Sequence, residues 1–170
     1  MTDILDEIIA HKRLEIEQQK AAISQELLIN NCNEPMPRRS MRASLSASPS
    51  GIIAEFKRRS PSKGWIKENA QADIISPAYE MAGASVLSIL TDENFFGGNL
   101  KDIRAARPQV SLPILRKDFI IDEYQLYQAC IVGADAVLLI AAALRKEQCS
   151  MLAAKAHELK LEVPVSYTHL

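Results

Sequence analysis

Gly51-Ile52-Ile53-Ala54-Glu55-Phe56-Lys57 is the stretch from which the fold is read. It is a short apolar run bounded by a glycine and a lysine, the texture of a strand buried on both faces. Strand alternation places Ile53, Glu55 and Lys57 on one face and Ile52, Ala54 and Phe56 on the other. An acid and a base therefore share one face at the strand's C-terminal end. In parallel α/β folds that end carries the active site.

Downstream, residues 70–82 read as helix, 85–90 as strand, 99–107 as helix and 112–116 as strand. Residues 122–132 read as helix, 136–140 as strand and 146–159 as helix. Strand and helix alternate four times, at about 28 residues per unit, which predicts βαβ units and a parallel sheet. Gly83-Ala84 and Gly133-Ala134, 50 residues apart, each close a helix and open a strand. A period of two units suits a barrel, whose alternate strands fill alternate interior layers. The pattern alone leaves half a barrel and an open doubly wound sheet both in play. No GxGxxG follows the first strand and no GxxxxGK[ST] occurs, so dinucleotide and P-loop readings lose weight.

Upstream, residues 1–50 read as a helical extension. A surface helix is expected over 3–30, with Ile4, Ile8 and Ile9 on a narrow apolar stripe and Thr2 or Asp3 as its cap. Residues 31–50 form a Pro- and Ser-rich connector holding one short helix over 40–47.

Of the 170 residues, 48% are hydrophobic and 24% charged, and the net charge is −1. That balance gives no electrostatic reason to expect nucleic acid or an anionic membrane as partner. Cys32, Cys130 and Cys149 show neither disulfide-framework nor metal-ligand spacing, and His11, His157 and His169 form no HxH or HExxH pair. No metal is expected. The longest apolar run, over 134–144, is too short to span a bilayer. The N-terminus has early acids and no apolar signal segment, so a reducing cytoplasm is the expected compartment.

The third strand repeats the device of the first. In Pro113-Ile-Leu-Arg-Lys117-Asp-Phe119, one face carries Leu115, Lys117 and Phe119, with Lys117 again at the C-terminal end. Glu55, Lys57 and Lys117 would then project into one mouth, where such charges demand mutual pairing or a charged substrate. A purely structural Glu55–Lys57 ion pair stays open. Ser60-Pro61-Ser62-Lys63-Gly64 reads as an anion-binding loop or an ordinary turn. Phe95-Phe96-Gly97-Gly98 reads as a pocket wall or lid, or as a plug between helices. Trp65 is expected to cover the base of the loop, and Arg58-Arg59 to be solvated.

Residues 53–64 resemble the indole-3-glycerol phosphate synthase family closely. The likeness continues through Ser88-Ile-Leu-Thr-Asp-Glu-Asn-Phe-Phe96-Gly, Pro113-Ile-Leu-Arg-Lys117-Asp-Phe119-Ile-Ile-Asp and Gly133-Ala-Asp-Ala-Val-Leu138-Leu-Ile. Ile4-Leu-Asp-Glu-Ile-Ile-Ala-His-Lys resembles the family's leading helix. The resemblance implies a (β/α)₈ TIM barrel, truncated here to about four βα units over 51–163 plus the leading helices. It implies a cytoplasmic carboxy-lyase of tryptophan biosynthesis that works without metal or organic cofactor. The substrate, 1-(2-carboxyphenylamino)-1-deoxyribulose 5-phosphate, is a small phosphorylated anion. Ring closure, decarboxylation and dehydration give indole-3-glycerol phosphate. Lys117 would be the general acid, Lys57 would hold the substrate carboxylate, and Glu55 would orient both lysines. Ser60 and Pro61 would line the pocket, with Phe96, Phe119 and Leu138 as the wall for the anthranilate ring.

The family also carries a catalytic Glu on its fifth strand. Here the sequence runs Leu161-Glu-Val-Pro-Val-Ser-Tyr-Thr-His-Leu170, and that Glu is missing. Residues 164–170 are read as a non-native tail, of the kind translated from adapter or vector sequence. The whole enzyme is expected to be a monomer or fused to a neighbouring pathway enzyme. The truncated chain is expected to be inactive and to self-associate. Two alternatives are another phosphate-binding barrel enzyme and a non-catalytic half-barrel association module.

Overall fold

The computed structural model describes residues 4–32 and 37–167. The helix expected over 3–30 is two helices, α1 (Ile4–Ala22) and α2 (Gln25–Cys32). Two contacts account for the break. The Ser24 hydroxyl accepts from the Leu27 amide at 3.3 Å and so caps α2. The Tyr124 hydroxyl, from a distant helix, lies 3.0 Å from both the Gln19 and Ile23 carbonyls and satisfies the end of α1. The expected cap at Thr2 or Asp3 lies outside the described residues. The short helix α3 (Met41–Ala47) follows, with the Ser40 side chain accepting from the Ala43 amide.

Beyond it come β1 (Ile53–Phe56), a hairpin of β2 (Arg59–Ser60) and β3 (Gly64–Trp65), and α4 (Ala72–Met81). Then β4 (Val86–Leu90), α5 (Leu100–Ala106), β5 (Ile114–Lys117) and α6 (Glu123–Val132) alternate. The fourth expected strand splits at Leu138 into β6 (Ala136–Val137) and β7 (Leu139–Ile140), and α7 (Lys146–Glu158) follows. The split is nominal, because the Leu138 amide still donates to the Arg116 carbonyl at 3.3 Å. Asn99 and Asp122 head α5 and α6 with reciprocal capping boxes. Gly133 closes α6 at φ 88, a left-handed geometry that favours glycine there.

Strands β1, β4, β5 and β6 are parallel neighbours in sequence order. A doubly wound sheet would reverse that order, whereas a barrel keeps it. Phe56, Leu87, Ile89, Ile114, Val137 and Leu139 face outward into a core shared with the helices. Val86, Leu115 and Ala136 face inward, where Met41 of α3 plugs the barrel's N-terminal end.

The sheet also runs past residue 163. Strand β8 (Val165–Ser166) pairs in parallel with β7, and the Leu139 amide donates to the Pro164 carbonyl at 3.1 Å. Strand pairing thus extends to Ser166, three residues past the expected limit of the barrel segment at 163. Val165 and Ser166 form a fifth parallel strand because their backbone groups complete the open edge of β7. Residues 168–170, including His169, lie outside the described residues. Among the described residues no helix is long and apolar enough to cross a membrane.

Candidate active site

The register brings Glu55 beside Ser88 and sets Leu90 beside Lys117, so the charged residues gather where the strands end. Glu55 Oε1 lies 2.8 Å from Lys57 Nζ, and Oε2 lies 2.6 Å from Lys117 Nζ. The three side chains keep 29%, 29% and 35% of their surface exposed for Glu55, Lys57 and Lys117, so the cluster is open to a ligand. Partial burial pushes the Glu55 carboxyl up. Hydrogen bonds and charge from Lys117 and Lys57 outweigh that effect and hold it below the usual range. The carboxylate is thus ionised between two ammonium groups.

Lys117 borders a cavity of about 200 Å³ together with Phe96, Phe119, Leu138, Ile140 and Ser166. The Phe96 and Phe119 rings stand 6.0 Å apart at 35°. Such walls accept a planar aromatic group, while the lysine offers a proton or a charge at the rim. Helix α1 closes the apolar side, packing Leu5, Ile8 and Ile9 against Phe119 and Ile140. Ser166 of the fifth strand lines the same cavity, on the strand where the resemblance expects a glutamate.

Ser60 and Pro61 do not line this cavity. Ser60 is buried in the hairpin, where its hydroxyl accepts from the Lys63 amide at 3.2 Å, and Pro61 is exposed at the turn. The hydroxyl is committed locally because the turn needs an acceptor for that amide.

The expectation that Arg58 and Arg59 are solvated is also corrected. Arg58 makes a bidentate pair with Asp102 at 2.6 and 2.8 Å and donates to the Gly97 and Ala70 carbonyls. The Arg59 amide donates to the Phe96 carbonyl at 3.1 Å. These bonds tie the loop after β1 to the loop after β4 and set the position of Phe96. The two glycines have steric reasons. A Cβ at Gly98 would sit 2.2 Å from the Leu90 carbonyl oxygen, and one at Gly97 would sit 2.7 Å from the Trp65 ring. Trp65 covers the loop base as expected, with the Arg59 guanidinium 5.6 Å from its ring.

A buried charge network adjoins the site, its Asp92 and Asp118 lining the same cavity, and sequence reasoning missed it. Lys12 of α1 is fully buried, with Nζ 2.8 Å from Glu15, 2.9 Å from Asp92 and 3.2 Å from Asp118. Asp118 also accepts from the Thr91 hydroxyl at 2.6 Å and from Arg116 at 3.0 Å. Burial opposes charge on both Lys12 and Asp118. The mutual attraction overrides it, raising Lys12 above the ordinary lysine value and driving Asp118 well below the carboxylate range. Asp118 sits between Lys117 and Phe119 in the chain, so the network fixes the backbone that presents both. The one local signal was a lysine four residues after Ile8, on the helix's apolar stripe. Among the described residues no group of three His, Cys, Asp or Glu is placed to hold a metal ion.

The family model for indole-3-glycerol phosphate synthase matches residues 5–168. The indole-3-glycerol phosphate synthase of Bacteroides thetaiotaomicron is 69% identical over 163 residues, covering 96% of this chain and 63% of the relative. That of Neisseria meningitidis serogroup B is 50% identical over 167 residues, covering 96% and 64%. That of Polynucleobacter asymbioticus is 43% identical over 174 residues, covering 97% and 65%. The chain therefore spans a little under two thirds of the length of these relatives, and its sheet is the first part of a (β/α)₈ barrel. By the extent of the match and the level of identity, the chain belongs to the indole-3-glycerol phosphate synthase family.

Proposed function

We propose that this chain supplies the acid-and-aromatic half of an indole-3-glycerol phosphate synthase site. The carrying observation is Glu55 held between Lys57 and Lys117 at the rim of a cavity walled by Phe96, Phe119 and Leu138. The substrate, 1-(2-carboxyphenylamino)-1-deoxyribulose 5-phosphate, has a benzoate ring that suits the wall and carboxylate and phosphate groups that call for cations. The ring carbon attacks the ribulose carbonyl while Lys117 gives its proton to the carbonyl oxygen. Carbon dioxide then leaves and restores the benzene ring, and a second protonation expels the hydroxyl as water while the proton on the adjacent carbon of the new ring passes to a carboxylate base. Lys57 holds the benzoate carboxylate and assists the later proton transfer. Glu55 aims both lysines through its two ion pairs. Ser60 and Pro61 stand in the hairpin outside the aromatic cavity and would meet only a part of the substrate that extends beyond it. The reaction needs no cofactor, and the cytoplasm is its compartment.

Alone, the chain is proposed to be inactive, because Ser166 lines the cavity where a carboxylate is needed for proton balance. The test compares the purified chain with a chimera of residues 1–163 joined to the remaining C-terminal segment of the Bacteroides thetaiotaomicron relative. Formation of indole-3-glycerol phosphate is followed by its indole fluorescence. The chimera is expected to turn over, and Lys117→Met within it to lose about 10²–10⁴ in kcat. An inactive but folded chimera, or turnover by the chain alone at the chimera's rate, would refute the assignment.

A further inference from the structure

Ser88 is the one polar residue on the inward face of β4. It stands in register with Glu55 on one side and Leu115 on the other. In-register residues on parallel neighbours project to the same face, from strands about 4.8 Å apart. Glu55 faces inward, since its carboxylate meets Lys117, and Val86, two residues before Ser88, packs inward against Met41 and Leu115. Ser88 therefore points into the barrel interior beside Glu55, just below Leu90 at the cavity. It is 3% exposed, and its Oγ has no hydrogen-bond partner among the described residues. A buried hydroxyl without a partner is a penalised arrangement, and a nearby acceptor that becomes free would relieve it.

The neighbouring carboxylate is such an acceptor. Both Glu55 oxygens are occupied, Oε1 by Lys57 from the same strand end and Oε2 by Lys117 from β5. On β4 the groups flanking Ser88 on the same face are Val86 and Leu90, so no other charge faces Glu55 from that strand. The Tyr79 hydroxyl donates to the Glu55 backbone carbonyl at 3.3 Å and leaves the carboxylate alone. When Lys117 turns to a substrate oxygen, Oε2 loses its donor in a half-buried place. We propose that Ser88 is a positioning residue that takes over, its hydroxyl donating to the Glu55 carboxylate while Lys117 is engaged. No covalent bond changes, and the proton stays on Ser88. The handover keeps Glu55 ionised and in place, so Lys117 has a partner to return to. The departure of Lys117 rests on the synthase reading, but the hydrogen bond can be tested without catalysis.

The Glu55 side-chain carboxyl is titrated by carbon-13 NMR in the chain as it stands, with Ser88→Ala, Lys117→Met and the double variant. Lys117→Met imitates the state in which the lysine has left. With Lys117 present, Ser88→Ala is expected to move the Glu55 midpoint by less than about 0.2 unit. In the Lys117→Met background it should raise the midpoint by about half a unit to one unit, and Ser88→Thr should restore it. An equal shift in both backgrounds, or none in either, overturns the handover and leaves a trapped water or another buried group as the partner. Lys117→Gln repeats the cycle should Lys117→Met not fold. In the chimera, Ser88→Ala should lower kcat about 3- to 10-fold with KM unchanged, and Ser88→Thr should recover it. NMR coupling without any effect of Lys117→Met on chimera turnover would sink the synthase reading and leave the serine contact standing. A large Lys117 effect without NMR coupling would do the reverse.

Discussion

Lys12 shows how a single residue can bind an outlying helix to a site. Its ammonium pairs with Asp92 and Asp118, which are 1% and 3% exposed, so among the described residues removing it leaves Asp92 without an ion-pair partner and Asp118 with Arg116 alone. Lys12→Met is expected to cost about 3–5 kcal/mol in denaturant unfolding, the cost of breaking a buried pair from one side. A loss below about 1 kcal/mol would mean that solvent reaches the cluster. The pH dependence has a definite sign. Asp118 is held below its unfolded value, so its stabilisation is complete above an unfolded carboxylate value of about 3.9. It is lost as pH falls from there toward the folded value. Stability should therefore drop on acidification below about pH 4, and Asp118→Asn should flatten that slope. Glu55, Lys57 and Lys117 are legible in the sequence because a strand's period of two assigns faces without further knowledge. Lys12 is not, because helical periodicity marks an inward face but not the distant aspartates, Asp92 and Asp118, that meet it there.

At the scale of elements, the same contrast separates the strands from the leading helices. The four buried strands are legible to within a few residues, since a short continuous apolar run between turn signals fits a strand covered on both faces. The hairpin of β2 and β3 is invisible, because two-residue strands carry no period and this pair rests on Arg58 and Arg59 contacts. The break between α1 and α2 is equally hidden. It depends on the Tyr124 hydroxyl arriving from α6 to satisfy the Gln19 and Ile23 carbonyls. Tyr124 is 1% exposed, and Tyr124→Phe keeps its ring packing while withdrawing the donor. The expected loss is about 1–2 kcal/mol, with faster amide exchange confined to the α1–α2 junction around residues 23–27. Exchange that rises equally along all of α1 would show that the ring, rather than the hydroxyl, holds the junction.

At the scale of the whole molecule, the sheet has two unpaired edges among the described residues, β1 and β8. Among the described residues β1 is paired only with β4, and apolar side chains of β1, of the residue before it and of α4 stay exposed. Ile52 is 54% exposed, Ile53 44%, Ile74 of α4 63% and Met81 83%. In a closed (β/α)₈ barrel the β1 flank meets the last βα unit, which lies in the part of the relatives that this chain does not span. An unpaired strand edge beside exposed aliphatic side chains is a template for association. The purified chain should therefore sediment as concentration-dependent oligomers and bind an apolar dye such as ANS. The chimera with the relative's C-terminal segment should sediment as a single species with the dye signal lost. Ile53→Lys tests the edge itself, since a charge there should reduce association without touching the outward core. A chain that sediments as a monomer at all concentrations would show that the open flank is covered from within. The helices would then have to shift from their present places to bury Ile52, Ile53, Ile74 and Met81, and amide protection along β1 would reveal it.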